Sequence, residues 1–329
     1  MARRSPDSTA PSRRPLVEDL PPLRRTIAGV GRNIGWVRSH GWAAVAEEHG
    51  WQPVDRARTA ARRAAWRRRH ARPPGAARAL LLVGLQRSGT NMVVRGLARN
   101  PAVEVYNEND RRAFEHYRLR PEADVAQLVA RSRSRVVLLK PLCDTHRVAD
   151  LLDGTLAGAT TTPPRAVWAY RDAAGRASSS VAKFGDGNRR VLAELAAGRG
   201  ADRWQLQRLS GDSVALVRRL DPDSLSPESG AALLWYVRNR LLFELGLAHR
   251  DDLLVMSYRQ VLADPAGTSR ALGAFAGIDA DPSSWADIAV RSSPLRRRLV
   301  LDPEIAERCA ALEADLDARA AAGLERWGR

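Results

Sequence analysis

An α/β fold built on a doubly wound, mainly parallel central sheet is predicted by three observations. Short, continuous apolar runs of strand length recur along the chain, and each is separated from the next by a stretch of helical character. The first run passes through a glycine-bearing turn straight into a helix, with no room for a hairpin return. No apolar run approaches the ~18 residues of a membrane-crossing helix.

The elements follow in order. Residues 1–22, rich in Pro, Ser and Arg, read as a disordered basic tail. Residues 23–75 read as a helical basic extension: tryptophans at 36, 42 and 51 fit a short helical hairpin, and DRARTAARRAAWRRRHAR at 55–72 has high helix propensity. Pro73-Pro74-Gly75 breaks the chain, and the main domain is expected over 76–329. Strands are expected at Ala79–Gly84, Val103–Tyr106, Arg135–Lys140, Arg165–Tyr170 and Leu253–Tyr258. Helices are expected at Asn91–Arg99, Pro121–Arg131, Arg147–Leu152, Glu228–Leu247, Pro265–Gly277 and Pro303–Arg326, with a mostly helical stretch after the fourth strand.

Composition narrows the function classes. The net charge of +16 is concentrated at the N-terminus, where residues 1–79 hold 17 arginines against 6 acidic residues. Only Lys140 and Lys183 are lysines, so a compositional preference for arginine accounts for much of the basicity. Cys143 and Cys309 lie far apart and read as buried thiols. The six histidines show no metal-ligand spacing, so no metal is expected. The N-terminus lacks the apolar stretch of a secretory signal, and a cytoplasmic location is expected.

The first turn carries the chemistry. Gly84-Leu85-Gln86-Arg87-Ser88-Gly89-Thr90-Asn91 joins a buried strand to a helix N-terminus, where backbone N–H groups and the helix dipole favour an anion. The G-x-x-x-x-G spacing is that of a P-loop, but Thr90 and Asn91 stand where a nucleotide P-loop has Lys and Ser/Thr. The pattern describes a phosphate cradle without the usual magnesium machinery. Ligands of such sheets bind beyond the carboxyl ends of the strands, and the strand ends here supply Arg87, Glu108, Lys140 and Arg171.

Arg87-Ser88-Gly89-Thr90-Asn91 resembles the 5′-phosphosulfate loop of sulfotransferases that use 3′-phosphoadenosine 5′-phosphosulfate (PAPS). A second match agrees in order and spacing: Arg171 at the end of the fourth strand and Ser179 eight residues on resemble that family's 3′-phosphate pair. A weaker third match, LLVMSYRQVLADP, would put Tyr258 near the adenine. The resemblance covers about residues 79–280. It implies a transferase that moves a sulfuryl group from PAPS to a hydroxyl acceptor and releases 3′-phosphoadenosine 5′-phosphate. Gln86 to Asn91, Arg171, Ser179 and Tyr258 would hold the donor. Arg87 and Lys140 would stabilise developing charge, and Glu108 would be the base. Many cytosolic members carry a His two residues after the Lys, where this chain has Leu142; His146 is the substitute candidate.

The alternatives are a P-loop kinase or NTPase, and a non-enzymatic protein that binds nucleic acid or an anionic surface. The acceptor is expected to be a carbohydrate, lipid or small-metabolite hydroxyl. The basic N-terminus reads first as a solvated, composition-driven extension that packs on the domain, second as a peripheral contact with an anionic membrane, and only third as a nucleic-acid contact.

Overall fold

The computed structural model describes residues 53–285 and 299–328. Five parallel strands form the central sheet: β1 (Arg78–Gly84), β2 (Val103–Tyr106), β5 (Val136–Leu139), β6 (Arg165–Tyr170) and β7 (Leu253–Ser257), in spatial order β2-β5-β1-β6-β7. This is the parallel α/β architecture that the alternation of runs predicted, and its strand order is consistent with a P-loop-like fold. β1 is central and buried from Ala79 to Gly84, because helices cover both sheet faces and leave no polar side to the strand. Its register runs Leu80–Leu138 on one side and Leu82–Val167 on the other.

Helix α1 (Pro53–His70) belongs to the same compact unit as the sheet. Trp66 packs against the core beside α2 (Thr90–Ala98) and β2. Arg63 donates to the Ala98 carbonyl at 2.9 Å, satisfying the end of α2, and Arg67 reaches Glu104 at 3.1 Å and Ser134 at 3.0 Å. The basic run 55–72 is thus amphipathic in use, with part of its arginine charge turned onto the domain. The expected tail at 1–22 and the extension over 23–52 lie outside the described residues.

Among the described residues, the other α-helices are α3 (Glu122–Arg131), α4 (Val148–Asp153), α5 (Thr155–Ala159), α6 (Ala173–Phe184), α7 (Gly187–Ala196), α8 (Gly211–Arg219), α9 (Pro227–Glu244), α10 (Tyr258–Ala263), α11 (Pro265–Ala276) and α12 (Pro303–Trp327). α9 is buried around most of its circumference, which explains why its sequence shows no clean polar face. Several features depart from the expected elements: β5 lacks Arg135 and Lys140, α9 stops at Glu244 rather than Leu247, and α5 was not expected. Residues 114–119 form a small hairpin, β3 (Phe114–Glu115) with β4 (Arg118–Leu119), whose turn places His116 and Tyr117 at positive φ without a glycine to announce it. β7 stops at Ser257, because Ser257 and Gln260 form a reciprocal cap that starts α10 at Tyr258.

The connection from β1 runs to β2, two places to one side, whereas that from β6 runs to its outer neighbour β7 on the other. The carboxyl ends of the adjacent strands β1 and β6 therefore flank a topological switch point, the ordinary ligand position in an open α/β sheet. Among the described residues, no helix is long and apolar enough to cross a membrane.

Candidate functional site

The loop after β1 owes its shape to two glycines. Gly84 has φ 127°, and a Cβ there would lie 2.2 Å from the Ala169 carbonyl oxygen of β6. Gly89 has φ 85° and directly precedes α2, and a Cβ there would lie 2.5 Å from Cδ2 of Tyr258. Arg87 itself is at φ 71°, an uncommon conformation for a side chain of this size and one typical of functional turns. The loop is pinned from below by Thr145, whose hydroxyl accepts from the Gly84 N–H at 3.1 Å and contacts the Gly84 carbonyl at 3.0 Å.

The loop presents groups suited to an anion. Gly89 offers no side-chain cap to α2, and no acidic residue occupies the first turn. The first N–H groups of a helix have no intrahelical acceptor, so an anion here would complete them. Ser88 is buried, and its hydroxyl has no hydrogen-bond partner among the described residues. An orphaned buried donor of this kind is uncommon in folded proteins.

Two groups of side chains flank the loop. On the β6 side, Arg87 Nε donates to Ser179 Oγ at 3.0 Å. The two expected anion subsites thus adjoin. Of the three consecutive serines, Ser180 is fully buried and bonded to Asn188, whereas Ser179 faces the loop. Arg171 stacks its guanidinium on the Tyr258 ring at 4.5 Å, and its buried Nε makes no hydrogen bond among the described residues, although Asp172 pairs with it at 3.8 Å. Tyr258 is therefore held between Arg171 and Gly89. Asp172 caps α6 by accepting from Gly175 N–H at 2.6 Å, and Trp235 of α9 donates to the Arg171 carbonyl at 2.8 Å. These bonds fix the end of β6 and the start of the helix that carries Ser179.

On the β5 side, Lys140 is buried directly after the strand, with Nζ 2.5 Å from Asn91 Oδ1 and 3.5 Å from Glu108 Oε1. Glu108 Oε2 is buried and has no hydrogen-bond partner among the described residues. Asn91 stands where a nucleotide P-loop carries its magnesium-binding hydroxyl, and here that position is met by an ammonium group. Among the described residues, no group of three His, Cys, Asp or Glu side chains is placed to hold a metal ion.

His146 is buried in the turn after β5. Burial first, and then Arg238, Arg118, Arg147 and Arg208, push its pKa down to about 3. Its Nδ1 has no partner among the described residues.

The structure therefore gathers every loop residue together with Arg171, Ser179, Tyr258, Lys140 and Glu108 at one end of the sheet. Sequence reasoning missed Thr145 and Arg176. Arg176 is buried and donates to the Gln86 carbonyl at 3.2 Å from beneath the loop. In a chain whose basic residues are nearly all arginine, nothing in the sequence marks that one as internal. Thr145 lies in a 3-10 turn without apolar periodicity, so no pattern announced it. Neither a protein-family model nor a curated protein sequence matches this chain.

Proposed function

We propose that this protein is a sulfotransferase that moves a sulfuryl group from PAPS to a hydroxyl acceptor and releases 3′-phosphoadenosine 5′-phosphate. The observation that carries the reading is the hydrogen bond between Arg87 and Ser179. It joins the loop that resembles a 5′-phosphosulfate cradle to the helix that resembles a 3′-phosphate site, at the switch point of the sheet. Ser88 Oγ and Arg171 Nε, which make no hydrogen bond among the described residues, and the uncapped start of α2 fit a ligand that is anionic at two places. Tyr258, half-buried and stacked on Arg171 beside the loop, would border the adenine.

The proposed chemistry follows from charge placement. In an in-line displacement the acceptor oxygen forms a bond to sulfur as the bond from sulfur to the bridging oxygen breaks. Glu108 takes the acceptor proton on Oε2, the oxygen with no hydrogen-bond partner. Negative charge grows on the bridging oxygen, and Lys140 and Arg87 stabilise it. Glu108 is the better base than His146: an imidazole whose pKa is about 3 holds a proton poorly at neutral pH. A magnesium-dependent phosphotransfer reading is disfavoured by the Thr90-Asn91 pair and by the lysine seated on Asn91.

Calorimetry tests the donor. Adenosine 3′,5′-bisphosphate is expected to bind tightly, and ATP-magnesium and adenosine 5′-phosphate weakly. A preference for ATP-magnesium would overturn the reading. An acceptor screen with PAPS would then look for a carbohydrate, lipid or small-metabolite hydroxyl.

A further inference from the structure

Arg176 has no part in the chemistry above, and its surroundings are unusual. It is 1 % exposed, on the inner face of α6. Nε donates to the Gln86 carbonyl at 3.2 Å and Nη1 to the Ala231 carbonyl at 3.0 Å. Among the described residues no carboxylate pairs with it; the charged group that acts on it is Arg87, another cation. Burial, then Arg87, push its pKa down to about 9, so the guanidinium still carries its charge at neutral pH. A buried charge without a counter-ion is among the most costly arrangements in a folded protein.

Its position gives that cost a use. The Gln86 carbonyl belongs to the peptide bond that enters Arg87, the residue at φ 71°. In a trans peptide the N–H points opposite to the carbonyl. With the carbonyl drawn toward Arg176, the Arg87 N–H is turned away from it. Arg176 thus holds one peptide of the loop in a fixed orientation and places positive charge directly behind it.

We propose that Arg176 is a positioning residue for the anion cradle: its uncompensated charge and its grip on the Gln86 carbonyl set the loop's affinity for a 5′-phosphate or phosphosulfate, which supplies the missing counter-charge. The inference rests on the reading that the loop binds such a group. Arg176 acts through the loop and does not touch the ligand.

The test uses the full chain and two ligands that differ at the loop alone: adenosine 3′,5′-bisphosphate, and adenosine 3′-phosphate, which lacks the group the loop would hold. Arg176→Gln is expected to weaken bisphosphate binding on the order of tenfold while leaving adenosine 3′-phosphate within about twofold. Arg176→Lys, which keeps the charge, is expected to recover much of the loss. Arg176→Met serves as the neutral variant if Arg176→Gln does not fold. Equal losses for both ligands, no loss for either, or no recovery by Arg176→Lys would overturn the role of Arg176 and leave the donor reading standing. Failure of the unsubstituted protein to bind the bisphosphate would remove the donor reading and this inference with it.

Discussion

Glu108 is the residue on which the proposed chemistry turns. Glu108→Gln preserves the shape beside Lys140 and removes the proton acceptor. Turnover with PAPS is expected to fall by about 10²–10⁴-fold while adenosine 3′,5′-bisphosphate binds nearly as before. Near-normal turnover in that variant would exclude Glu108 as the base. Gly89→Ala makes a different demand, because the new Cβ would meet the Tyr258 ring at 2.5 Å from a residue at φ 85°. It is expected to lower both thermal stability and bisphosphate affinity, read by a melting scan and calorimetry. At this scale the sequence was most legible where residue type and spacing together demand a backbone shape. Gly84 and Gly89 are the only residues that fit their positions, so the loop declared itself. His146 was less legible: the arginines whose charge acts on it, Arg238, Arg118 and Arg208, are distant in the chain. Its burial has a measurable consequence. The folded-state pKa of about 3 lies below the unfolded value near 6.5, so the unfolded chain binds the extra proton between these limits. Stability is then fully present above about pH 6.5 and falls as pH drops toward 3, by at most ~1.4 kcal/mol per pH unit from this group. Denaturant titrations at several pH values should show a shallower acid slope for His146→Gln. An unchanged slope would place the acid sensitivity elsewhere.

Among the elements, the sheet strands were readable because burial on both faces turns each into a short apolar run with abrupt ends. Val103–Tyr106 and Arg165–Tyr170 have the expected bounds, and β7 lost only Tyr258 to the cap of α10. The hairpin Phe114–Leu119 was invisible for the opposite reason. Its strands are two residues each, and its turn at His116-Tyr117 uses positive φ without Gly or Asn. What holds it is tertiary: Asp144, buried below, accepts from Arg118 at 2.8 Å and from the Leu119 N–H at 2.7 Å. Helix α1 shows how charge can mask packing. Its arginines marked an extension expected to pack on the domain, but not which residues do so: Trp66 packs partly buried against the core, and Arg63 and Arg67 bond to α2 and β2. A chain beginning at Ala76 is therefore expected to lose stability relative to one beginning at Pro53. Trp66 is only partly buried, so loss of its contact is worth less than the ~1.5–3 kcal/mol of a fully buried side chain. Equal denaturation midpoints for the two chains would show that α1 adds nothing.

The whole molecule places its polar chemistry where the topology permits it. A parallel sheet buries both faces of its strands, so the open backbone and the free helix starts collect at the carboxyl edge. Five elements meet there: the loop before α2, the turn after β2 with Glu108, the end of β5 with Lys140, the start of α6, and Tyr258 at the start of α10. Buried and largely desolvated, Lys140 and Arg176 are shielded from salt far better than the exposed arginines elsewhere on the chain. This separates two sources of anion affinity. Binding that depended on the general basicity of the chain would weaken steeply with ionic strength and would favour any polyanion. Binding at the carboxyl edge should discriminate by shape and keep much of its strength in salt. Thermal unfolding reads the difference directly. At a bisphosphate concentration one hundred times its dissociation constant, linkage stabilises the folded chain by about 2.7 kcal/mol and raises the melting temperature by several degrees. The shift is expected to persist in high salt, to be absent with ATP-magnesium at the same concentration, and to shrink in Arg87→Ala. A shift that vanishes in salt, or that ATP-magnesium reproduces, would assign the affinity to the basic surface rather than to the loop between β1 and α2.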